Sequence, residues 1–289
     1  MFSYRNYTIK RYWRESLFAI LLALSLVVWV LVYQHKTGLL KVYFLDVGQG
    51  DAIFVETPSR RQILIDGGRN KKVVSELGRI MSFGDRSIDV VIATHPDADH
   101  IGGLPEVASR FDIGVYLEPG VESENSFDDE LHARLEDKNT QTLLARRGTV
   151  INFGDGARLT ILFPDQDVSN WETNDASVVA RLDYGESSFL FTGDSPIRIE
   201  NTLIYQSKQF LDTDVLKVGH HGSRTSTSLS YAEAVFPEYA VVSAGRDNTY
   251  GHPHKEVLNI LAKIGAKVVS TAESGTLEFE TDGEMLRLK

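Results

Sequence analysis

The chain has 289 residues, 42% of them hydrophobic, with a formal net charge of −10 and no cysteine. That length suffices for one large globular domain or two small ones. The acidity excludes a surface built globally for nucleic acid, so a polyanion must be met by a metal or a local basic patch, and the missing cysteines exclude a disulfide framework, thiolate-bound zinc and a cysteine nucleophile.

Residues 16–33, SLFAILLALSLVVWVLVY, carry no charge. A helix of that length just crosses a hydrocarbon core of about 30 Å. Arg5, Lys10, Arg11 and Arg14 precede it, and only Lys36 and Lys41 follow closely. This bias predicts a cytoplasmic tail over 1–15, a transmembrane anchor over 16–33 and an extracytoplasmic remainder. A cleaved signal peptide is the rival, but VLVYQHKTG offers no small-x-small site. A buried core helix is disfavoured, because the segment has no polar face. Residues 34–40 read as a linker, and 41–289 as the globular part.

Short β-like runs open that part: LKVYFLDV, DAIFVET and RQILID. A helix over 71–81, the buried strand IDVVIAT, the short helix LPEVASRF and the strand IGVYLEP follow. Residues 127–147 read as one long amphipathic helix, with acids early and Arg146 and Arg147 late. The strands TVINF, ARLTILFP, SVVARLDY and SSFLFTG come next, then a helix over 196–210, strand DVLKVG, a helix near 229–236 and strand YAVVSAG. A helix over 255–264 and the strands AKVVST, TLEFET and EMLRLK finish the chain. Two strand-rich halves, each interrupted by helices, predict an α+β protein built as a four-layer αβ/βα sandwich.

THPDADH, residues 94–100, packs His95, Asp97, Asp99 and His100 into six positions where a strand gives way to a loop. His95 and Asp97 are expected to point one way and Asp99 and His100 another, which suits two adjacent metals. Similar residues stand at other strand ends: Asp66 in ILIDGG, Asp194 in FLFTGD, His220 and His221 in VLKVGHHGS, and His252 and His254 in NTYGHPH. Each alone has a plain alternative. Asp66 could form a turn, Asp194 could cap the next helix, and His220, His221 and His252 could be ordinary loop histidines, with His254 a cap or surface residue. All of these would have to hold together.

HPDADHIGG, LIDGG, FTGD and HHGS, in this order, resemble the metallo-β-lactamase superfamily. DVGQGDA, LKVGHHGS and YGHP narrow the resemblance to the metallo-β-lactamase-like domain at the C-terminal end of ComEC competence proteins, the DNA-uptake channel family. It covers about residues 41–289. Two departures stand out. Asp97 takes the place of the superfamily's second histidine, and only Asn174 or Asp175 stands near its next one. Oxygen in place of nitrogen favours harder ions such as Mn²⁺ or Mg²⁺ over Zn²⁺ there. The multi-helix channel of ComEC is missing as well, so transport itself does not carry over.

The resemblance implies two divalent metal ions, Zn²⁺ or Mn²⁺ with Mg²⁺ as a further candidate. His95, Asp97 and Asn174 or Asp175 would hold the first. Asp99, His100 and His221 or His220 would hold the second, with Asp194 bridging them and Asp66 orienting a ligand histidine. Asp99, Asp194 and His252 would act in catalysis, His252 toward a phosphate oxygen or the leaving group. Ser223, Arg224, Thr225 and Lys217 would touch phosphate, although Lys217 reads equally well as a surface charge. The expected function is an extracytoplasmic hydrolase of phosphodiesters, DNA foremost, with a separate uptake-channel protein as a candidate partner. The alternatives are another envelope phosphodiester or ester, such as phosphorylcholine, and a catalytically silent binding module.

Overall fold

The computed structural model describes residues 4–36 and 38–289, with side chains described for 12–30 and 38–289. The chain divides into two units, Met1–Gly38 and Leu39–Lys289. The first is a single helix, α1 (Tyr4–Lys36). Its segment Tyr12–Val30 is long and apolar enough to cross a membrane. The helix runs through most of the expected tail and on to Lys36, so helical backbone replaces part of the linker expected over 34–40. Residues 1–3 of the expected tail and residue 37 lie outside the described residues, as do the side chains of 31–33.

In the second unit the elements run β1 (Leu40–Phe44), β2 (Ile53–Glu56), β3 (Gln62–Ile65), α2 (Lys72–Ile80), β4 (Ser87–Ile92), α3 (Ala98–Ile101), α4 (Leu104–Arg110), β5 (Asp112–Glu118), α5 (Ser126–Asp137) and β6 (Gln141–Leu144). The second half continues with β7 (Val150–Asn152), β8 (Arg158–Phe163), β9 (Val179–Tyr184), β10 (Ser187–Phe191), α6 (Ile197–Ser207), β11 (Val215–Lys217) and α7 (Leu229–Val235). It ends with β12 (Tyr239–Val242), α8 (Lys255–Lys263), β13 (Lys267–Ser270), α9 (Thr271–Ser274), β14 (Leu277–Thr281) and β15 (Leu286–Leu288). They form an eight-stranded sheet, β15-β14-β1-β2-β3-β4-β5-β6, and a seven-stranded sheet, β13-β12-β11-β10-β9-β8-β7.

The period-2 alternation of the strands decides the layering. In β1, Val42 and Phe44 face the other sheet and pack with Phe189, Phe191 and Phe279, while Tyr43 faces outward among Leu77, Val107 and Leu131 on the helices. Helices α6 and α7 cover the outer face of the second sheet with Ile199, Leu203 and Val235, and α8 extends that cover with Val257 and Leu261. The result is the four-layer αβ/βα sandwich.

The expected helix over 127–147 is corrected. It stops at Asp137, Asn139 takes a left-handed conformation (φ 54°), and residues 141–144 become β6, parallel to β5. Thr140 N–H donates to Leu135 O and Asn139 N–H to Glu136 O, which closes the last turn. The exposed edge of β5 then recruits the β-prone TLL run. Arg146 and Arg147 lie beyond the strand: Arg146 donates to Pro119 O, and Arg147 donates to Gln206 O in the last turn of α6, both at 2.7 Å. The helix expected over 196–210 has its last three residues in a tighter 3₁₀ turn.

One topological fact positions the site. Strands β3, β4 and β5 are mutually parallel, and so are β10, β11 and β12. Asp66, His95, Asp194, His220 and His221 all follow the carboxyl ends of these strands, the rim where open α/β sheets hold their ligands.

Candidate metal centre

His95, His100, Asp194, Asp99 and His221 converge. Potential ligand atoms of His95, His100 and Asp194 lie within 4.8 Å of one another, as do those of Asp99, His100 and His221. Asp194 Oδ1 stands 3.2 Å from His100 Nε2, and its Oδ2 stands 3.5 Å from the Nε2 of both His220 and His221. Asp99 Oδ2 is 3.4 Å from His221 Nε2. The loop after β4 is not wholly irregular: Ala98–Ile101 forms one helical turn, which sends His100 back toward His95, with ring centroids 4.1 Å apart. Asp97 occupies the N-cap position without capping, so its carboxylate is left beside His95, 3.7 Å from Nε2.

Each buried histidine is held by its other ring nitrogen. His100 Nδ1 meets Asp66 Oδ2 at 2.7 Å, His95 Nδ1 meets Thr94 Oγ1 at 3.0 Å, and His221 Nδ1 meets the Ser243 carbonyl at 2.8 Å. Asp66 is itself fixed by Thr94 N–H and Oγ1, both at 2.7 Å. The Nε2 atoms of all three histidines are buried and without a hydrogen-bond partner, as are Asp194 Oδ1 and Asn174 Oδ1. An orphaned buried polar atom costs about 1–3 kcal/mol. Imidazoles tied at Nδ1 with Nε2 free are arranged as metal ligands are, so the donor set fits divalent cations.

The charges agree. Burial works against ionisation of Asp194, but His221 and His100 overcome it and hold its carboxyl well below the usual range. Burial likewise opposes charging of His221, and Asp194 and Asp51 push it up to about 9. The cluster is an anionic pit that draws cations.

Between the paired candidates the geometry differs. Asp175 Oδ2 lies 2.5 Å from Arg198 Nη2, whereas Asn174 Oδ1 is buried and unpartnered. His220 is partly exposed and its Nδ1 meets Thr225 Oγ1 at 3.1 Å, whereas His221 is enclosed. The two histidines follow one another in left-handed backbone (φ 49° and 54°), conformations that persist only where the surroundings over-determine them. His252 stands behind them, its ring centroid 5.8 Å from that of His220 and 6.2 Å from that of His221. Burial, then the neighbouring His221 and His220, push it down to about 4, so its imidazole is neutral at pH 7. His254 sits at the N-cap of α8 but its side chain makes no cap bond.

Lys217 needs correction. It is neither a surface charge nor open to a substrate: it is fully buried, with its ammonium against Asp51 Oδ2. Ser223 Oγ accepts from Thr225 Oγ1 within its own loop, at 3.0 Å, while Arg224 is exposed. Asp51 itself is missing from the sequence-based ligand set. It lies beneath the cluster, 3.3 Å from His221 Nδ1, and its N–H donates to Asp99 O. The available signal is Lys217, a lone cation in the apolar run VLKV that demands a buried acid. Gly50 makes the approach possible, since a Cβ there would meet Asp99 O at 1.9 Å. Gly193, with φ 50°, plays the same part where Asp194 passes Thr94.

A sandwich whose parallel strand ends deliver histidines and carboxylates to one rim defines a metal-binding αβ/βα protein. The comparisons narrow the class. Residues 45–246 match the pattern described as "Metallo-beta-lactamase superfamily", and the chain belongs to that superfamily. It is 31% identical to ComE operon protein 3 of Bacillus subtilis over 257 residues, 83% of this chain and 33% of that protein. It is 32% identical to Competence protein ComA of Neisseria gonorrhoeae, over 81% of this chain and 31% of the relative. The chain thus spans about a third of the length of these curated relatives. Among solved structures, YhfI of Bacillus subtilis, a metallo-beta-lactamase fold protein, superposes with a TM-score of 0.54 at 13% identity, covering 84% of this chain and 100% of that one. Igni18, a metallo hydrolase of Ignicoccus hospitalis, gives 0.53 at 18% identity, covering 84% and 99%. These two likenesses concern the fold.

Proposed function

We propose that the chain is a membrane-tethered phosphodiesterase that cleaves DNA in an uptake process, with two divalent ions at the rim described above. The observation that carries the reading is the set of three buried imidazoles, each tied at Nδ1 and free at Nε2, around Asp194. His95, Asp97 and Asn174 would hold one ion and Asp99, His100 and His221 the other, with Asp194 beside both sets. This mixed nitrogen and oxygen set suits Mn²⁺ or Zn²⁺. Bound there, such ions supply an acidified water and neutralise charge on a phosphate. Asp66 and Thr94 keep the imidazoles oriented. His252, neutral at pH 7, offers one N–H to the leaving oxygen. Exposed Arg224 meets phosphate, a local cation in an acidic protein. The DNA substrate and the uptake setting draw support from the competence relatives, and the tether from Tyr12–Val30. The bias of Arg5, Lys10, Arg11 and Arg14 over Lys36 and Lys41 supports an extracytoplasmic rim.

The test uses the full chain in detergent, stripped with chelator and reloaded in turn with Mn²⁺, Mg²⁺ and Zn²⁺. Single- and double-stranded DNA and a small chromogenic phosphodiester are offered, with Asp194→Ala as control. Metal-dependent DNA cleavage lost in the control supports the reading. Cleavage of the small diester alone moves the substrate to another envelope phosphodiester. No cleavage with any metal, from folded and metal-loaded protein, leaves a binding module.

A further inference from the structure

A cleft of about 550 Å³ opens beside His252: it is lined by His252, Pro253, Leu258 and Val268, with Arg246 and Glu273 among its polar groups. Its place follows from the fold. β12 ends at Val242, the next residue's carbonyl holds His221, and the chain then turns through Arg246 before returning at His252. On its other flank β13, the edge strand of its sheet, leads into α9. The same short segment therefore serves the metal-ligand cluster at Ser243 and the cleft at Gly245 and Arg246.

The chemistry of the lining is mixed in a particular way. Leu258, Val268 and Pro253 offer apolar surface. Arg246 is exposed, and its Nε donates to Ala272 O at 3.0 Å, which fixes the guanidinium through one nitrogen and leaves its terminal amines without an ion-pair partner among the described residues. Glu273 offers a carboxylate that can accept from a ring or exocyclic N–H of a base. Tyr250, 56% exposed, stacks on His252 at 5.7 Å and 21°, and continues the aromatic surface outward. A cleft of this size is on the scale that takes a small organic ligand, and a base and sugar flanked by phosphate present the complementary groups: a flat face, an N–H donor and an anion.

We infer that this cleft is a nucleotide subsite, holding the sugar and base next to the reacting phosphate, with Arg246 on the following phosphate of the strand. The choice of ligand rests on the phosphodiester reading above. The subsite gives an acidic protein a grip on one strand at the place where His252 joins the cleft to the metal ligands.

The test measures two quantities on the full chain in detergent, loaded with metal. One is hydrolysis of methyl p-nitrophenyl phosphate by the wild type, which reads the phosphodiester chemistry without a nucleotide. The other is affinity for a fluorescein-labelled tetrathymidylate with phosphorothioate linkages, by anisotropy. Arg246→Glu and Val268→Glu, exposed positions on different elements, are each expected to weaken tetrathymidylate binding at least tenfold. Lys263→Glu, the same charge change on α8 as Arg246→Glu, is expected to bind as the wild type does. Wild-type affinity in the folded Arg246→Glu and Val268→Glu variants overturns the subsite, as does an equal loss in Lys263→Glu or no wild-type binding. Absent methyl-ester hydrolysis sinks the catalytic reading separately, and cleft-dependent tetrathymidylate binding beside it still supports the subsite.

Discussion

Lys217 and Asp51 form an ion pair sealed beneath the histidine cluster, with side chains 0% and 2% exposed. Lys217 comes from the end of β11 and Asp51 from the loop before β2, so the pair bolts one sheet of the sandwich to the other. Asp51 also stands 3.3 Å from His221 Nδ1, which makes the pair part of the floor under that side chain. Lys217→Met strands the carboxylate in the interior, at a cost of about 3–5 kcal/mol. The melting temperature is expected to fall by about 10 °C, taking 2–4 °C per kcal/mol for a domain of this size. Lys217→Met with Asp51→Asn removes both charges and recovers a large part of the loss. A double variant no more stable than Lys217→Met shows that the ion pair is not what matters.

Asp66 acts on the centre through His100. Its Oδ2 holds His100 Nδ1 at 2.7 Å, and two bonds from Thr94 fix Asp66 in turn. Asp66→Asn keeps the shape but replaces an acceptor oxygen and weakens the anchor. Metal affinity is expected to fall 10–100-fold, read by competition with a fluorescent chelator, while the fold survives by circular dichroism. Unchanged affinity would mean that His100 needs no outer partner, or is no ligand.

Asn174 and Asp175 are neighbours with opposite surroundings. Asp175 is engaged by Arg198, which also lies 4.8 Å over the Trp171 ring. Asn174 Oδ1 is buried and unpartnered. Asn174→Ala is expected to lower the content of the more weakly held ion, measured by plasma mass spectrometry after dialysis. Asp175→Ala is expected to keep both ions. The reverse pattern assigns the ligand to Asp175.

What was legible in the sequence follows from physical range. The sandwich could be read because the short apolar runs of β1 and β10 and the helical periodicity of α2 and α8 are local signals. The gathering of Asp66, His95, Asp194 and His221 could be read because each ends a hydrophobic strand, and parallel strands end together. Asp51 could not, because its role depends on Lys217, which only the docking of two sheets brings near. Thr94 was hidden for the same reason: its hydroxyl matters through Asp66 on the neighbouring strand. The misread helix over 127–147 shows the reverse case. Its pattern continues past Asp137, but Asn139 turns left-handed and the open edge of β5 takes Gln141–Leu144 as a strand. A tertiary vacancy overrode the local pattern.

Away from the metal centre, Asp128 on α5 gives a pH signature. Burial pushes its carboxyl up to about 6; His132 opposes the rise and Glu118 adds to it. His132 is raised in turn by its hydrogen bond to Glu118, with Nε2 3.0 Å from the Glu118 carboxylate. A carboxyl whose folded pKa lies above its ordinary 3.8 adds stability that is complete below that ordinary value and is lost as the pH rises through about 6. Above that point Asp128 is a half-buried charge. Asp128→Asn removes the ionisation. Relative to the wild type it is therefore expected to melt higher at pH 8 than at pH 5, where most of the wild-type carboxyl is already neutral. Thermal scans at the two pH values decide the matter: an equal shift at both, or a larger relative gain at pH 5, rules out a raised Asp128.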